Sequence, residues 1–147
     1  MNLNDARELA LELMDAWNLD HWDFRWSNAR ATFGYCNHSR RTIALSRQLV
    51  QLNGEAEVKD TILHEIAHAI AGFDAGHGPV WKSTAVKVGA SPRRCYSPDE
   101  VKVPPFKWVG TCPDCDKVWN RRKLSARLRG GSLCPTDGAY LTWQKMF

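Results

Sequence analysis

Residues 55–79 read Glu55-Ala-Glu-Val-Lys-Asp60-Thr-Ile-Leu-His64-Glu65-Ile66-Ala67-His68-Ala-Ile-Ala71-Gly72-Phe-Asp74-Ala-Gly76-His77-Gly78-Pro79. The apolar spacing predicts one helix over about Glu55–Ala71, ended by Gly72. At 100° per residue, Glu57, Asp60, Thr61, His64, His68 and Ala71 fall on one side. Val58, Ile62, Leu63, Ile66, Ala69, Ile70 and Phe73 fall on the other, the side expected to be buried. Both histidines therefore point away from the core, one turn apart. Two imidazoles so placed can reach one zinc ion at ~2.0–2.1 Å. Glu65 is one step round the helix, poorly placed as a ligand and well placed to take a proton from an activated water. A catalytic centre also needs a third protein ligand. His77, nine residues after His68, is the candidate, with Gly76 and Gly78 giving the returning turn its backbone freedom. Asp60 and Asp74 are either orienting acids behind the ligands or ordinary surface and capping acids. A purely structural zinc would be closed by four Cys or His ligands and would have no use for Glu65.

Working outward, residues 5–18 carry apolar residues at helical spacing (Ala6, Leu9, Ala10, Leu13, Ala16, Trp17), with Asp5 and Glu8 as a capping box. Residues 22–27, 31–36 and 41–45 read as strands, with Asn37–Arg40 as the turn between the last two. Ser46 is placed to cap a short helix through Leu52. Pro79 at a first-turn position and Gly89 at a C′ position bracket a further helix. Ser91-Pro92, Ser97-Pro98 and Pro104-Pro105 then interrupt regular structure, which sets a domain boundary between 1–103 and 104–147.

The charge is uneven. Residues 1–101 hold 11 Lys+Arg against 13 Asp+Glu, and residues 102–147 hold 9 against 3, so a body of −2 carries a tail of +6. A basic tail on a near-neutral body suits a polyanion, usually nucleic acid. Between Trp119 and Arg129 the cations Arg121, Arg122, Lys123, Arg127 and Arg129 can neutralise phosphates without reading sequence. Trp108, Trp119 and Trp143 can stack on unpaired bases or serve as the core of a small module. Five cysteines, an odd count, and an N-terminus without a basic-then-apolar leader disfavour a disulfide framework and point to an intracellular protein. With no 18-residue apolar run, a membrane span is not expected. Cys112-Pro-Asp-Cys115 has the spacing of a first zinc knuckle, and Cys134-Pro-Thr-Asp137-Gly138 follows after eighteen intervening residues. Asp137 stands where a fourth cysteine belongs. Three readings are open: a Cys3Asp zinc site, completion by Cys95 or a histidine, or a metal-free module held by its own core. Cys36 and Cys95 read as inert buried thiols.

His64-Glu65-Ile66-Ala67-His68, followed by Gly76-His77-Gly78-Pro79-Val80-Trp81, resembles the SprT-like (Spartan-related) zinc metalloprotease family. Gly34-Tyr35-Cys36 and Ile43-Ala44-Leu45-Ser46 add weaker matches, and the likeness runs over nearly the whole chain. The resemblance implies an α+β fold: a zincin-type catalytic core with a small antiparallel sheet and an active-site helix, followed by a zinc-ribbon-like module. It implies a catalytic zinc on His64, His68 and His77 and, among Spartan-type members, cleavage of proteins bound or crosslinked to DNA. Asp137 departs from the family pattern. Metzincins place the third histidine six residues after the second, and zinc nucleobase deaminases need Pro-Cys-x-x-Cys with His-x-Glu; neither spacing occurs here. The expected function is therefore a zinc-dependent endopeptidase acting on DNA-associated proteins, a monomer with Glu65 as general base and Tyr96 as a candidate oxyanion donor. The expected location is the cytoplasm or nucleoid of a bacterium or phage host, or a eukaryotic nucleus. The alternatives are a nucleic-acid-binding zinc protein with little protease activity and a metal-dependent hydrolase of RNA.

Overall fold

The computed structural model describes residues 1–97 and 99–147. The chain divides into two compact units, Met1–Pro104 and Pro105–Phe147. Both mix helices with a small three-stranded sheet.

The first unit begins with α1 (Leu3–Ala16). Its cap is Asn2, whose side chain accepts from the N–H groups of Asn4 and Asp5 at 2.7 and 3.4 Å. The expected Asp5–Glu8 box is displaced because a better N-cap lies three residues earlier and leaves Asp5 as a first-turn acid. Ala6, Ala10 and Met14 form its buried stripe.

Strands β1 (Asp23–Ser27), β2 (Gly34–Asn37) and β3 (Thr42–Ser46) form a sheet in the order β1-β3-β2. β2 runs antiparallel to β3, with Cys36 opposite Ile43. β1 runs parallel to β3, with Phe24 opposite Ile43. The sheet is thus mixed, which corrects the antiparallel expectation. All five residues of β3 are buried, so this strand takes the centre and needs a partner on each edge. The hairpin supplies one, and β1 supplies the other from the same direction. β2 also starts three residues later than its sequence suggests. Phe33 C=O instead accepts from Ser46 N at 2.8 Å. At Gly34 an added Cβ would stand 3.0 Å from both Ala44 O and Thr61 Cγ2. A side chain there would press on the β3 backbone and on Thr61 of the helix Glu55–Ala71, which glycine avoids.

Helix α2 (Arg47–Leu52) starts at Ser46, whose hydroxyl accepts from Leu49 N at 3.2 Å. α3 (Glu55–Ala71) ends at Gly72, where φ is +94°. It buries Val58, Ile62, Leu63 and Ile66 as expected, and also Thr61 from the opposite side, Glu65 and Ala67. Ile70 and Phe73 are not in the core: they are 42% and 79% exposed, because the helix ends just beyond Ile70 and the chain turns away. A 3-10 turn (Phe73–Ala75) leads to α4 (Pro79–Val88), with proline at its first turn and Gly89 in the left-handed region at its end. The core gathers α1, β3, α2, α3 and α4 around Met14, Leu45, Ile62, Ile66 and a fully buried Trp81. No regular element occurs among the described residues between Gly89 and Lys107. The expected break at Ser97-Pro98 includes Pro98, which lies outside the described residues.

The second unit holds β4 (Trp108–Thr111), β5 (Val118–Arg121), α5 (Ala126–Arg129) and β6 (Thr142–Lys145), with sheet order β5-β4-β6 and both pairings antiparallel. Trp119, Gly110 and Trp143 stand in one cross-strand row. A Cβ at Gly110 would lie 2.7 Å from the Trp143 ring, so the indole lies directly on the glycine. Trp143 Nε1 donates to Ser132 Oγ at 2.8 Å. Across the described residues of both units, no helix is long and apolar enough to cross a membrane.

Candidate metal centre

The helix sets the first half of the site. His64 and His68 lie one turn apart on α3, both half-buried. The second half is set by how the helix stops. Gly72 N donates to His68 C=O at 3.1 Å, Ala75 N to Gly72 C=O at 3.2 Å, and Gly78 N to Ala75 C=O at 3.0 Å. Gly76 has a φ of +51° with nothing within 4 Å of an added Cβ, so backbone conformation rather than crowding selects glycine there. These turns return His77 over the helix. Its Nε2 stands 3.2 Å from His64 Nε2 and 3.0 Å from His68 Nε2.

Three imidazole nitrogens cannot all satisfy one another at such distances, because each contact needs one donor and one acceptor. The spacing does suit a common ion: nitrogens bound tetrahedrally at ~2.0–2.1 Å stand about 3.3 Å apart. Burial holds the His64 and His68 rings down to about 4; the neighbouring histidines of the trio add to this, and for His68 so does His38. His77 is lowered too, by burial and then by the Arg94 charge. The rings are therefore neutral near pH 7, as metal ligands must be.

Trp81 forms the floor of this site. Its ring centroid is 4.6, 5.2 and 4.7 Å from those of His64, His68 and His77. Its Nε1 donates to His64 C=O at 3.4 Å. The sequence offered Trp81 only as part of a motif, and its contact with all three rings is a tertiary fact.

Glu65 is 6% exposed, and burial pushes its carboxyl up to about 8. No hydrogen bond reaches that carboxyl from any described residue. It is a buried acid next to the histidine cluster.

Asp60 Oδ1 accepts from Ser91 N at 2.7 Å, so it anchors the chain after α4 and does not orient a ligand ring. Asp74 is exposed on the 3-10 turn. The Tyr96 hydroxyl is hydrogen-bonded to Thr61 Oγ1, which itself donates to Glu57 C=O at 2.9 Å. The Tyr96 proton is thus committed to Thr61, and burial holds the phenol above its usual range. The free oxyanion donor expected at Tyr96 is not what the structure presents. Cys36 is half-buried, its thiol pushed up to about 12 by burial and then by the Glu65 charge. Cys95 is exposed, because it lies in the irregular segment after α4 rather than on a packed face.

The second unit brings Cys112, Cys115, Cys134 and Asp137 together, with one ligand atom from each within 4.8 Å of every other. Cys115 Sγ and Cys134 Sγ are 3.6 Å apart, and Cys112 Sγ stands 3.3–3.4 Å from the Asp137 oxygens. Ligands on a tetrahedral zinc with these bond lengths stand about 3.6–3.8 Å apart, so the donor set fits with a small adjustment. Two turns of one design carry it. Asp116 N bonds to Cys112 C=O and Cys112 N to Lys117 C=O, both at 3.0 Å; Gly138 N bonds to Cys134 C=O at 2.9 Å and Cys134 N to Ala139 C=O at 2.8 Å. Asp137 occupies in the second turn the place of Cys115 in the first.

The five cations expected to meet phosphates are not equivalent. The Arg122 guanidinium lies 4.4 Å from the Phe106 ring centroid and that of Arg129 lies 5.8 Å from Trp108. Arg121 donates to Asn120 C=O at 2.9 Å. Lys123 and Arg127 extend from the exposed surface. Trp108, Trp119 and Trp143 are half-buried.

Neither the curated proteins nor the solved structures include a match to this chain. The SprT-like family model matches residues 5–102, a span that holds α1 through α4 and all three histidines. By that match over two-thirds of its length, the chain belongs to the SprT-like family.

Proposed function

We propose that this protein is a zinc-dependent endopeptidase acting on DNA-associated or DNA-crosslinked proteins. The observation that carries the reading is the pairing of the three-imidazole cluster with a buried Glu65 one residue from His64. His64, His68 and His77 hold the zinc. When bound, the metal supplies Lewis acidity, polarising a peptide carbonyl and making water a stronger acid. Glu65 takes the proton from the attacking water on a carboxyl oxygen and passes it to the leaving amine. Trp81 closes the floor of the site and keeps the three rings in register.

In the second unit, Cys112, Cys115, Cys134 and Asp137 hold a structural zinc in a ribbon-like module. The exposed cations Lys123 and Arg127, with Arg121, attract nucleic-acid phosphates without reading sequence, and the tail charge of +6 supports that role. The module brings the enzyme to proteins that sit on DNA.

The test is cleavage of a protein crosslinked to DNA by wild type and by Glu65→Gln, with and without single-stranded DNA, with zinc measured on the same samples. Glu65-dependent fragments that increase with DNA are expected. Zinc and DNA binding without cleavage would overturn the protease reading in favour of a nucleic-acid-binding zinc protein.

A further inference from the structure

We propose that His38 is a positioning residue for the three-histidine centre, holding in place the chain segment that joins the second ligand to the third. The inference rests on the metal reading above and adds a residue outside the ligand set.

His38 sits in the turn between β2 and β3, half-buried at the edge of the sheet. Its Nε2 lies 2.8 Å from His68 C=O. A carbonyl oxygen only accepts, so Nε2 carries the proton and donates. The same carbonyl already accepts from Gly72 N at 3.1 Å, the bond that ends α3. His68 C=O lies in the last turn, at the negative end of the helix dipole, where a further donor is favourable. His38 supplies a second donor there, on the backbone of the residue whose ring is the second ligand.

The other contact of His38 is at the far side of the same turn. Its ring meets Phe73 edge to face, with centroids 5.9 Å apart and planes at 83°. Phe73 is the first residue of the 3-10 turn that carries the chain back to His77. Trp22 packs against His38 from β1's approach, with centroids at 6.0 Å and planes at 84°. The imidazole is therefore wedged between the sheet and both ends of the helix stop. Phe73 is 79% exposed, so burial does little to fix this end of the turn, whose other end, Ala75, packs against the core. The hydrogen bond to His68 and the ring contact to Phe73 are what tie it to the rigid sheet. Moving a ligand by a fraction of an ångström weakens a metal site, and residues that orient ligands commonly contribute 10–100-fold in affinity.

The experiment is titration of the metal-free protein with Co2+, read by its visible absorption bands, and with Zn2+ against a chromophoric chelator. Cys112→Ser in every sample keeps the second cluster from dominating the signal. Three variants are compared with wild type: His38→Gln, whose amide can donate at similar reach; His38→Asn, which is polar but too short; and His38→Leu, which cannot donate. The expected result is roughly tenfold weaker zinc binding and shifted cobalt bands for the Asn and Leu variants, with Gln within about threefold of wild type. Loss of the Leu variant to misfolding leaves the Gln–Asn comparison intact. Wild-type affinity and spectrum in all three variants would overturn the proposal alone, as would a Gln variant as weak as Asn. A parent protein that takes up no cobalt on its histidines would overturn the metal reading and this proposal with it.

Discussion

The two ligand clusters of this chain are built on opposite principles. The histidine trio sits on a 17-residue helix packed into a core, with a wholly buried tryptophan beneath it. The Cys3Asp cluster sits on two short turns in a unit of 43 residues, from Pro105 to Phe147. A chain that short buries too little apolar surface to stand alone without a staple. The first site is a product of the fold, and the second is one of its causes. On the function proposed above, metal has different meanings in the two places: in the first unit it would complete a function, and in the second it would complete a structure.

The largest effect expected from this contrast is on metal removal. A chelator strong enough to strip both clusters should unfold Pro105–Phe147 while Met1–Pro104 stays folded, since structural zinc contributes about 10–16 kcal/mol of apparent binding energy to such small units. Amide hydrogen exchange reads both units at once. Continued protection of Trp108–Thr111 in the stripped protein would break the comparison and favour a metal-free core.

Next in size is Trp81→Ala. Truncating a fully buried tryptophan should cost about 3–5 kcal/mol of stability in the first unit. It should also loosen the histidine trio, because the indole touches all three rings. Denaturant unfolding together with zinc affinity tests this; a stable variant that binds zinc normally would show that the floor is dispensable.

Smaller again is a pH effect at Glu65. Between about 4.5 and 8 the folded, metal-free chain keeps a proton on Glu65 that the unfolded chain has released. Stability contributed by this group therefore falls as pH rises through that window. His64 and His68 act in the opposite sense, since their folded values near 4 lie below the ordinary 6.5, so their contribution rises with pH from 4 to 6.5. Comparing wild type with Glu65→Gln cancels the histidines. The variant should be the more stable at pH 8, by up to about 4 kcal/mol, and the difference should vanish below pH 4.5. Thermal melts of the metal-free proteins measure it, and equal melting temperatures at pH 8 would contradict the burial argument.

The smallest effect belongs to single surface cations. Arg127→Ala should weaken DNA binding modestly and reduce the salt dependence by about one counterion. Arg122→Ala should instead lower the stability of the second unit, because that guanidinium lies over Phe106. An Arg122 variant that alters only the salt slope would return it to the phosphate-binding set.

What the sequence made legible follows the range of the interaction. Ser46, Gly72, Pro79 and Gly89 mark helix ends because caps and stops are decided within a few residues. His64, His68 and His77 were legible as a set because helical spacing and a glycine turn are local geometry. Partners set by distant segments were not. The parallel pairing of β1 with β3 depends on which strand takes the centre of the sheet. The engagement of Tyr96 by Thr61 spans 35 residues, and the role of Trp81 depends on α4 folding under α3. The periodicity that placed Ile70 and Phe73 in the core ignored where the supporting core ends. Arg122 and Arg129 read as phosphate-binding cations because a sequence does not reveal an aromatic ring beside a guanidinium.

The matched turns around Cys112 and Cys134 carry a consequence for proton stoichiometry. A cysteine binds metal as its thiolate and so gives up a thiol proton, whereas the Ala139 N–H holds Asp137 below the usual carboxylate range, already in the form that ligates. Zinc uptake by this cluster should therefore liberate fewer protons than uptake by a four-cysteine site of the same shape. Its affinity should climb correspondingly less steeply with pH, and the unit should keep its metal further into acid than its cysteine content alone would suggest.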